Sequence, residues 1–259
     1  MSAADATTKL RIGALVWDND YKHPVVLAKE VATMDVLSGG RVELGMGAGW
    51  MVSDYEQAGM PYDSPGVRID RMIEGIDVMR QCFADDKANF SGKHYHVTNY
   101  DGLPKPVQKP GPPLLIGGGG KRVLTYAARH ADIIAINATL TAGAVGPEAI
   151  STMTAEAVDA KVDIVRGAVG DRLAHVEMNI RAFMVNVTDD AEGAISRLAK
   201  GIGVEPKMIA ETPFALMGPP AKLVEDLLAR RERWGFSYVI VGGEDVDTFA
   251  PVVAALAGK

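Results

Sequence analysis

Four consecutive glycines stand between a short apolar stretch and a segment with helical spacing. Backbone N–H groups at the start of a helix, together with the helix dipole, can hold a phosphate group. Lys121 and Arg122 follow the run directly and could add positive charge. A tight turn between a strand and a helix also favours glycine, so the residues alone support a phosphate site and a plain turn equally. The four residues are Gly117, Gly118, Gly119 and Gly120.

A second glycine pattern alternates along one predicted strand and its exit, at Gly45, Gly47 and Gly49. Alternate residues of a strand share one face, so this face carries no Cβ atoms. A flat ring or another stretch of backbone could then approach it closely. Close packing inside the fold accounts for Gly45 equally well. We therefore interpret Gly47, Gly49 and the following Trp50 as candidates for contact with a ligand.

Two further strand ends carry candidate residues. Leu15, Val16 and Trp17 end the first predicted strand and could form an apolar backing for a ring, although Trp17 could equally pack in the interior. Asn137 ends a buried-looking stretch and could hydrogen-bond a polar ring edge or tail. An asparagine at this position could equally cap a turn.

Other reactive residue types indicate structural roles. His94 and His96 are two residues apart, but no Cys or carboxylate ligand set stands beside them, which favours an exposed hairpin over a metal site. Cys82 lies on the apolar face of its predicted helix, which favours packing in the core. No nucleophile and base are arranged for covalent hydrolysis.

Four further residues are expected to have structural roles. His23 precedes Pro24 and is expected to cap the helix that begins there. Asp35, Arg41 and Glu74 are expected to be buried partners in structural ion pairs rather than catalysts.

The elements that position these residues alternate between strand and helix along the chain, which predicts the parallel sheet of a barrel or a doubly wound fold. Near-continuous apolar strands indicate a sheet that is covered on its outer face. Six strands are predicted, at 10–17, 41–49, 113–120, 131–137, 175–188 and 236–243. Helices are predicted at 25–37, 69–83, 121–129, 151–168, 189–200, 219–234 and 246–257.

Composition narrows the class of protein. The 259 residues are 47% hydrophobic and 23% charged, which indicates a folded globular chain rather than a disordered one. No apolar stretch has the length of a membrane helix, and the start lacks the features of a secretory signal. The net charge of −6 argues against a nucleic-acid partner. A single cysteine fits a reducing compartment, so we expect a cytoplasmic protein.

The ordered motifs of the chain resemble those of the bacterial luciferase-like superfamily of flavin- and deazaflavin-dependent oxidoreductases. The resemblance covers residues 7 to about 257, and the branch that uses the deazaflavin coenzyme F420 is the most similar. The motif residues include His23 and Pro24, Asp35, Leu37 to Arg41, Gly45 to Trp50, Tyr55, Gly59, Arg68, Glu74, Phe90 to Gly92, Pro104 to Gln108, Ile116 to Gly119, Ala131 and Asp132.

The resemblance implies an incomplete TIM-type (β/α)8 barrel, in which about six parallel strands are present and the first two βα units are absent. It implies one domain over residues 1–259 with an excursion at 50–112. The phosphate of the coenzyme would lie at the glycine run, and its ring would lie near Trp17 and the exit at Gly49 and Trp50. In such enzymes the peptide that corresponds to Leu15–Trp17 is strained, is often cis and lies behind the ring.

The implied reaction is hydride transfer between coenzyme F420 and an unidentified small organic substrate. The catalytic residues are unknown, because the Asp-His pair that usually faces the ring has no match in this chain. An FMN-dependent monooxygenase and a non-catalytic barrel fragment that acts as a binding or assembly partner are the alternatives. A sugar isomerase or aldolase barrel would rest on the glycine run alone. Unpaired sheet edges also predict self-association into a homo-oligomer.

Overall fold

The computed structural model describes residues 1–258, which form two compact units. The first unit comprises Met1–Gly117 together with Leu140–Ala144. The second comprises Gly118–Thr139 and the residues from Val145 onward. Each unit contains parallel strands that are joined by helices, as the alternating pattern predicts.

The first unit is organised around strand β3 (Val42–Gly47), all six residues of which are buried. Strands β1 (Ile12–Gly13), β2 (Trp17–Asp18) and β6 (Leu114–Gly118) each pair in parallel with β3. Trp17 lies opposite Met46, so β2 and β3 end at the same edge of the sheet. The remaining elements are α1 (Ser2–Asp5), α2 (Pro24–Ser38), α3 (Val52–Ala58), α4 (Pro65–Phe83) and the antiparallel hairpin of β4 (Ala88–Ser91) and β5 (His96–Tyr100).

Helix α2 follows from local signals at both of its ends. Pro24 occupies its first turn, and the Nδ1 atom of His23 accepts the N–H of Val25 at 3.3 Å, which confirms the capping role expected of this histidine. Gly39 ends the helix with a φ of +67°, in the left-handed region that glycine adopts readily. The helix packs against α4, and both contribute fully buried side chains to the core: Leu27, Val31, Met72, Ile76 and Met79.

The second unit contains two sets of parallel strands. Strand β8 (Glu177–Arg181) pairs with β7 (Ile133–Ile136) and with β11 (Phe236–Ile240). Strand β9 (Met184–Val187) pairs with β10 (Ala215–Gly218). Its helices are α5 (Lys121–His130), α6 (Pro147–Ser151), α7 (Ala155–Val169), α8 (Ala191–Ile202), α9 (Pro206–Glu211), α10 (Pro220–Trp234) and α11 (Val246–Leu256).

Helix α5 packs against α7, and α10 packs against α11. The buried side chains of Leu223, Leu227 and Phe249 form one apolar cluster of this second unit. Among residues 1–258, every helix is too short or too polar to cross a lipid bilayer.

The predicted strands differ from the structure in three places. The stretch 10–17 forms two short strands rather than one, because the chain leaves the sheet at Ala14–Val16. The stretch 175–188 divides at Ala182 and Phe183 into β8 and β9, which pair with different partners. Strand β10 is absent from the prediction, because its four residues lie between prolines and are too few to show a period.

Candidate functional site

The glycine run forms a tight connection between strand β6 and helix α5. Strand β6 ends at Gly118, and Gly120 is the residue before the first turn of α5. A Cβ atom on Gly119 would lie 2.3 Å from the carbonyl oxygen of Ala138, which is backbone and cannot rotate away. A Cβ atom on Gly120 would meet no atom within 4 Å. Gly119 is therefore required for close packing, whereas Gly120 faces open space.

Two hydrogen bonds fix the direction of the amides in this loop. The N–H of Asn137 donates to the carbonyl of Gly118 at 3.0 Å, and the hydroxyl of Thr139 donates to the carbonyl of Gly119 at 3.0 Å. In a trans peptide the N–H of the next residue points opposite to the carbonyl. The N–H groups of Gly119 and Gly120 therefore both point away from residues 137–139.

The N–H groups of this loop are followed by the start of α5, where the first amides of a helix have no acceptor within the helix. Lys121 is the first residue of α5 and is exposed. The arrangement can hold an anion on backbone amides, with the exposed positive charge of Lys121 beside it. Asn137 differs in character, since its side-chain oxygen accepts the N–H of Ala138 at 2.8 Å, as in a turn-capping asparagine.

In the first unit, the stretch that leaves the sheet before β2 lies against two glycines of β3. A Cβ atom on Gly45 would lie 2.1 Å from the carbonyl oxygen of Ala14, and one on Gly47 would lie 2.4 Å from Cγ2 of Val16. Both glycines therefore serve close packing of the protein on itself. The peptide bond between Leu15 and Val16 is cis. Leu15 is 39% exposed, and Trp17 is half-buried.

The exit of β3 carries the other two candidates of this unit. Gly49 has a φ of +69°, and a Cβ atom on it would lie 1.9 Å from the hydroxyl oxygen of Tyr55. The carbonyl of Trp50 accepts the hydroxyl of Tyr62 at 2.8 Å. Arg68 lies over the ring of Tyr62 at 4.2 Å and donates to the carbonyl of Ala48 at 3.2 Å. This exit is thus held by side chains of α3 and α4 and the loop between them.

A polar network beside Gly49 is absent from the sequence-based prediction. The hydroxyl of Tyr55 lies 2.9 Å from Oδ2 of Asp20 and 3.2 Å from Oδ2 of Asp18. Arg71 binds both oxygens of Asp20, at 2.7 and 2.9 Å. Two aspartates directly after a predicted strand are a signal that could have drawn attention to this site.

The network changes the acidity of its members. Burial raises the pKa of Asp18, and the neighbouring carboxylate of Asp20 raises it further. Burial also raises the pKa of the Tyr55 hydroxyl, as do the two carboxylates. Hydrogen bonds to Asp20 raise the pKa of Arg71. Tyr55 therefore keeps its proton and can donate it to only one of the two carboxylates at a time.

Asp18→Asn is expected to change the dependence of stability on pH in the acidic range. Because the pKa of Asp18 is higher in the folded state, the folded chain binds more protons than the unfolded chain between the two pKa values. The contribution of Asp18 to the free energy of unfolding therefore falls as pH rises through that window, and its removal is expected to make the slope of stability against pH more positive there. Urea unfolding at several pH values checks this. Asp101→Asn, which removes an exposed carboxylate, is the control. If the slope of stability against pH in Asp18→Asn equals that of the wild type, the raised pKa of Asp18 is contradicted.

The sequence is similar to a protein-family model and to proteins of known activity. The family model described as luciferase-like monooxygenase matches residues 2–238. The chain is 27% identical over 195 residues to an FMNH(2)-dependent dimethylsulfone monooxygenase of Pseudomonas putida, with 75% of this chain and 49% of the relative covered. It is 33% identical over 135 residues to an F420-dependent glucose-6-phosphate dehydrogenase of Amycolatopsis mediterranei, with 51% and 39% covered. The matches thus span at most about half the length of these curated relatives.

Solved structures match over almost the whole chain. A monooxygenase from Streptomyces bottropensis superposes with a TM-score of 0.74 at 19% identity, covering 99% of this chain and 80% of that one. An F420-dependent secondary alcohol dehydrogenase, solved with an F420-acetone adduct, superposes with a TM-score of 0.75 at 19% identity, covering 98% and 81%. At this identity the likeness concerns the fold alone.

Proposed function

The chain belongs to the luciferase-like monooxygenase family, and we propose that it is an oxidoreductase that uses coenzyme F420 to reduce or oxidise a small organic molecule. The predicted family and fold class are confirmed by the family model and by the solved structures. Relatives in the family include both F420-dependent and FMN-dependent enzymes. The choice of F420, the substrate and the reaction are our proposal.

The geometry of the glycine loop is the observation that supports this proposal. Both coenzymes carry a phosphate, and the N–H groups of Gly119 and Gly120 point together away from the segment behind them. Gly120 leaves open space for an anion to approach, and Lys121 stands exposed at the helix start. The residues present therefore fit the phosphate part of such a cofactor.

Contacts of residues of the first unit with the apolar part of the cofactor stay a prediction. When bound, the cofactor supplies the redox chemistry, and the protein contributes placement and electrostatics. Apolar surface is available at Leu15, Val16 and Trp17. The turn at the exit of β3 contains Gly49 and Trp50, and the hydroxyl of Tyr62 bonds to its backbone. Contact between Gly47 and the cofactor stays a prediction, although the side chain of Val16 fills the space beside Gly47 in this structure.

Cofactor titrations with a matched pair of glycine variants test the proposal. F420 and FMN are each titrated into the full chain, and the loss of cofactor fluorescence is followed. We expect F420 to bind, and Gly120→Ala to weaken binding by about tenfold, which corresponds to about 1.4 kcal/mol. Gly167→Ala adds the same methyl group in open space on α7 and is expected to bind as the wild type does.

The alternatives correspond to other outcomes of the same titrations. Binding of FMN alone would favour an FMN-dependent monooxygenase, for which the similarity to the Pseudomonas putida enzyme is the supporting observation. Binding of neither cofactor would contradict the proposal and favour a non-catalytic role.

We also propose that the chain self-associates, and light scattering that shows a monomer at all concentrations would contradict this.

A further inference from the structure

A lysine of helix α7 is buried in the second unit, and no carboxylate within residues 1–258 forms an ion pair with it. Lys161 is only 5% exposed. Its Nζ atom donates to the carbonyl of Asn137 at 2.7 Å and to the carbonyl of Thr152 at 2.7 Å. Lysine is rarely buried, because its ammonium group loses its hydration. Two carbonyl oxygens compensate for that loss only in part, so a purely structural reason for this residue is weak.

The lysine bonds to the segment that lies directly behind the glycine loop. The same carbonyl of Asn137 lies 2.6 Å from the position that a Cβ atom on Gly119 would occupy. The side-chain oxygen of Thr152 accepts the N–H of Thr139 at 2.9 Å, and the hydroxyl of Thr139 donates to the carbonyl of Gly119. Lys161 thus bonds to Asn137, which donates to the Gly118 carbonyl, and to Thr152, which contacts the loop through Thr139.

The ammonium group also places a charge behind the loop. Burial lowers the pKa of Lys161 to about 8, and no ionised side chain of the described residues contributes to that shift. The groups that face its Nζ atom are the two carbonyls from β7's exit and from the end of α6. In a poorly solvated interior, a positive charge acts on a nearby anion more strongly than it does in water.

We propose that Lys161 is a positioning residue for the anion site of the glycine loop, where it braces the segment 137–139 and supplies a buried positive charge. The inference rests on the proposed function, because it assumes that the loop amides bind a phosphate. The two contributions are separable. A neutral lysine amine still has two N–H groups for its two carbonyls, so deprotonation removes the charge and keeps the bonds.

Sulfate is the probe, because it stays a dianion over the whole pH range in which the lysine titrates. Its affinity for the full chain is measured by calorimetry from about pH 6.5 to about pH 9.5. We expect the affinity of the wild type to fall about tenfold as pH rises through the titration of Lys161. Lys161→Met is expected to bind weakly throughout and to show no such step.

Lys200→Met is the matched control, since Lys200 is an exposed lysine of the same unit. It removes the same charge, and its pH profile is expected to keep the step of the wild type. If Lys161→Met fails to fold, Lys161→Arg is measured instead. Because an arginine stays charged over this range, its profile is expected to lose the step, and a retained step would overturn the inference. A flat wild-type profile, or a step that survives in a folded Lys161→Met, would overturn the inference.

The failure of this inference and that of the proposed function differ in their results. One outcome is that the wild type binds sulfate with an affinity that Gly120→Ala lowers and that does not change with pH. In that case the loop is an anion site and only the role of Lys161 is wrong. If the wild type binds no sulfate at any pH, both are wrong. An affinity that is equal in the wild type and Gly120→Ala would place the anion elsewhere and overturn both.

Discussion

Gly119→Ala is expected to weaken cofactor binding by at least about tenfold and to lower the free energy of unfolding by about 2 kcal/mol. The added Cβ atom would lie 2.3 Å from the carbonyl oxygen of Ala138 and 2.6 Å from that of Asn137. Both are backbone atoms, so the loop itself must move. Such a movement would break the bond from the Thr139 hydroxyl to the Gly119 carbonyl and turn the next amide away.

Gly120→Ala separates the two effects of this change. Its Cβ atom meets nothing within 4 Å, so we expect the free energy of unfolding to stay near that of the wild type while binding weakens. Urea unfolding and cofactor titration of the two variants are the measurements. A Gly119→Ala protein with the stability and affinity of the wild type would show that the loop is not packed as described.

Gly49→Ala is expected to destabilise the protein by about 3 kcal/mol or more. The residue has a φ of +69°, which costs alanine about 1 kcal/mol by itself. In addition, its Cβ atom would lie 1.9 Å from the Tyr55 hydroxyl oxygen and 2.6 Å from Oδ2 of Asp18. Tyr55 is fully buried, so its displacement would also break the hydrogen bonds between its hydroxyl and the two aspartates.

Gly59→Ala isolates the backbone contribution to this loss. Gly59 has nearly the same φ, +67°, and a Cβ atom on it would meet nothing within 4 Å. We expect a loss of about 1 kcal/mol in this variant, as for a left-handed alanine elsewhere. Chemical unfolding measures both variants. Equal losses would mean that the overlap with Tyr55 and Asp18 is relieved at no cost.

Elements with local signals could be predicted from the sequence, whereas elements that depend on partners distant in the chain could not. Helix α2 was predictable because its signals are local: Pro24 and His23 begin it, and Gly39 ends it. Strand β10 was not, because four residues stabilised by pairing with β9 carry little local signal. The residues 175–188 have the pattern of one strand, and the division into β8 and β9 depends on partners distant in the chain.

The roles of several polar residues were predicted only in part. Asp35, Arg41 and Glu74 were expected to form buried ion pairs with structural roles. Their hydrogen bonds in the structure are instead to backbone and amide groups: Asp35 accepts from Gln108, Arg41 donates to carbonyls such as that of Ala4, and Glu74 accepts backbone N–H groups of residues 93–95. Residue type indicated burial with a partner, but the partner was set by the fold.

The sequence by itself determined the alternation of strand and helix, the family, and the glycine run before α5, because periodicity, helix caps and motifs are properties of neighbouring residues. Only the tertiary structure decided that Gly119 packs against Ala138, that Tyr55 lies between Asp18 and Asp20, and that Lys161 reaches the carbonyl of Asn137. These contacts join residues that are far apart in the chain, and their distances depend on how complete elements pack together.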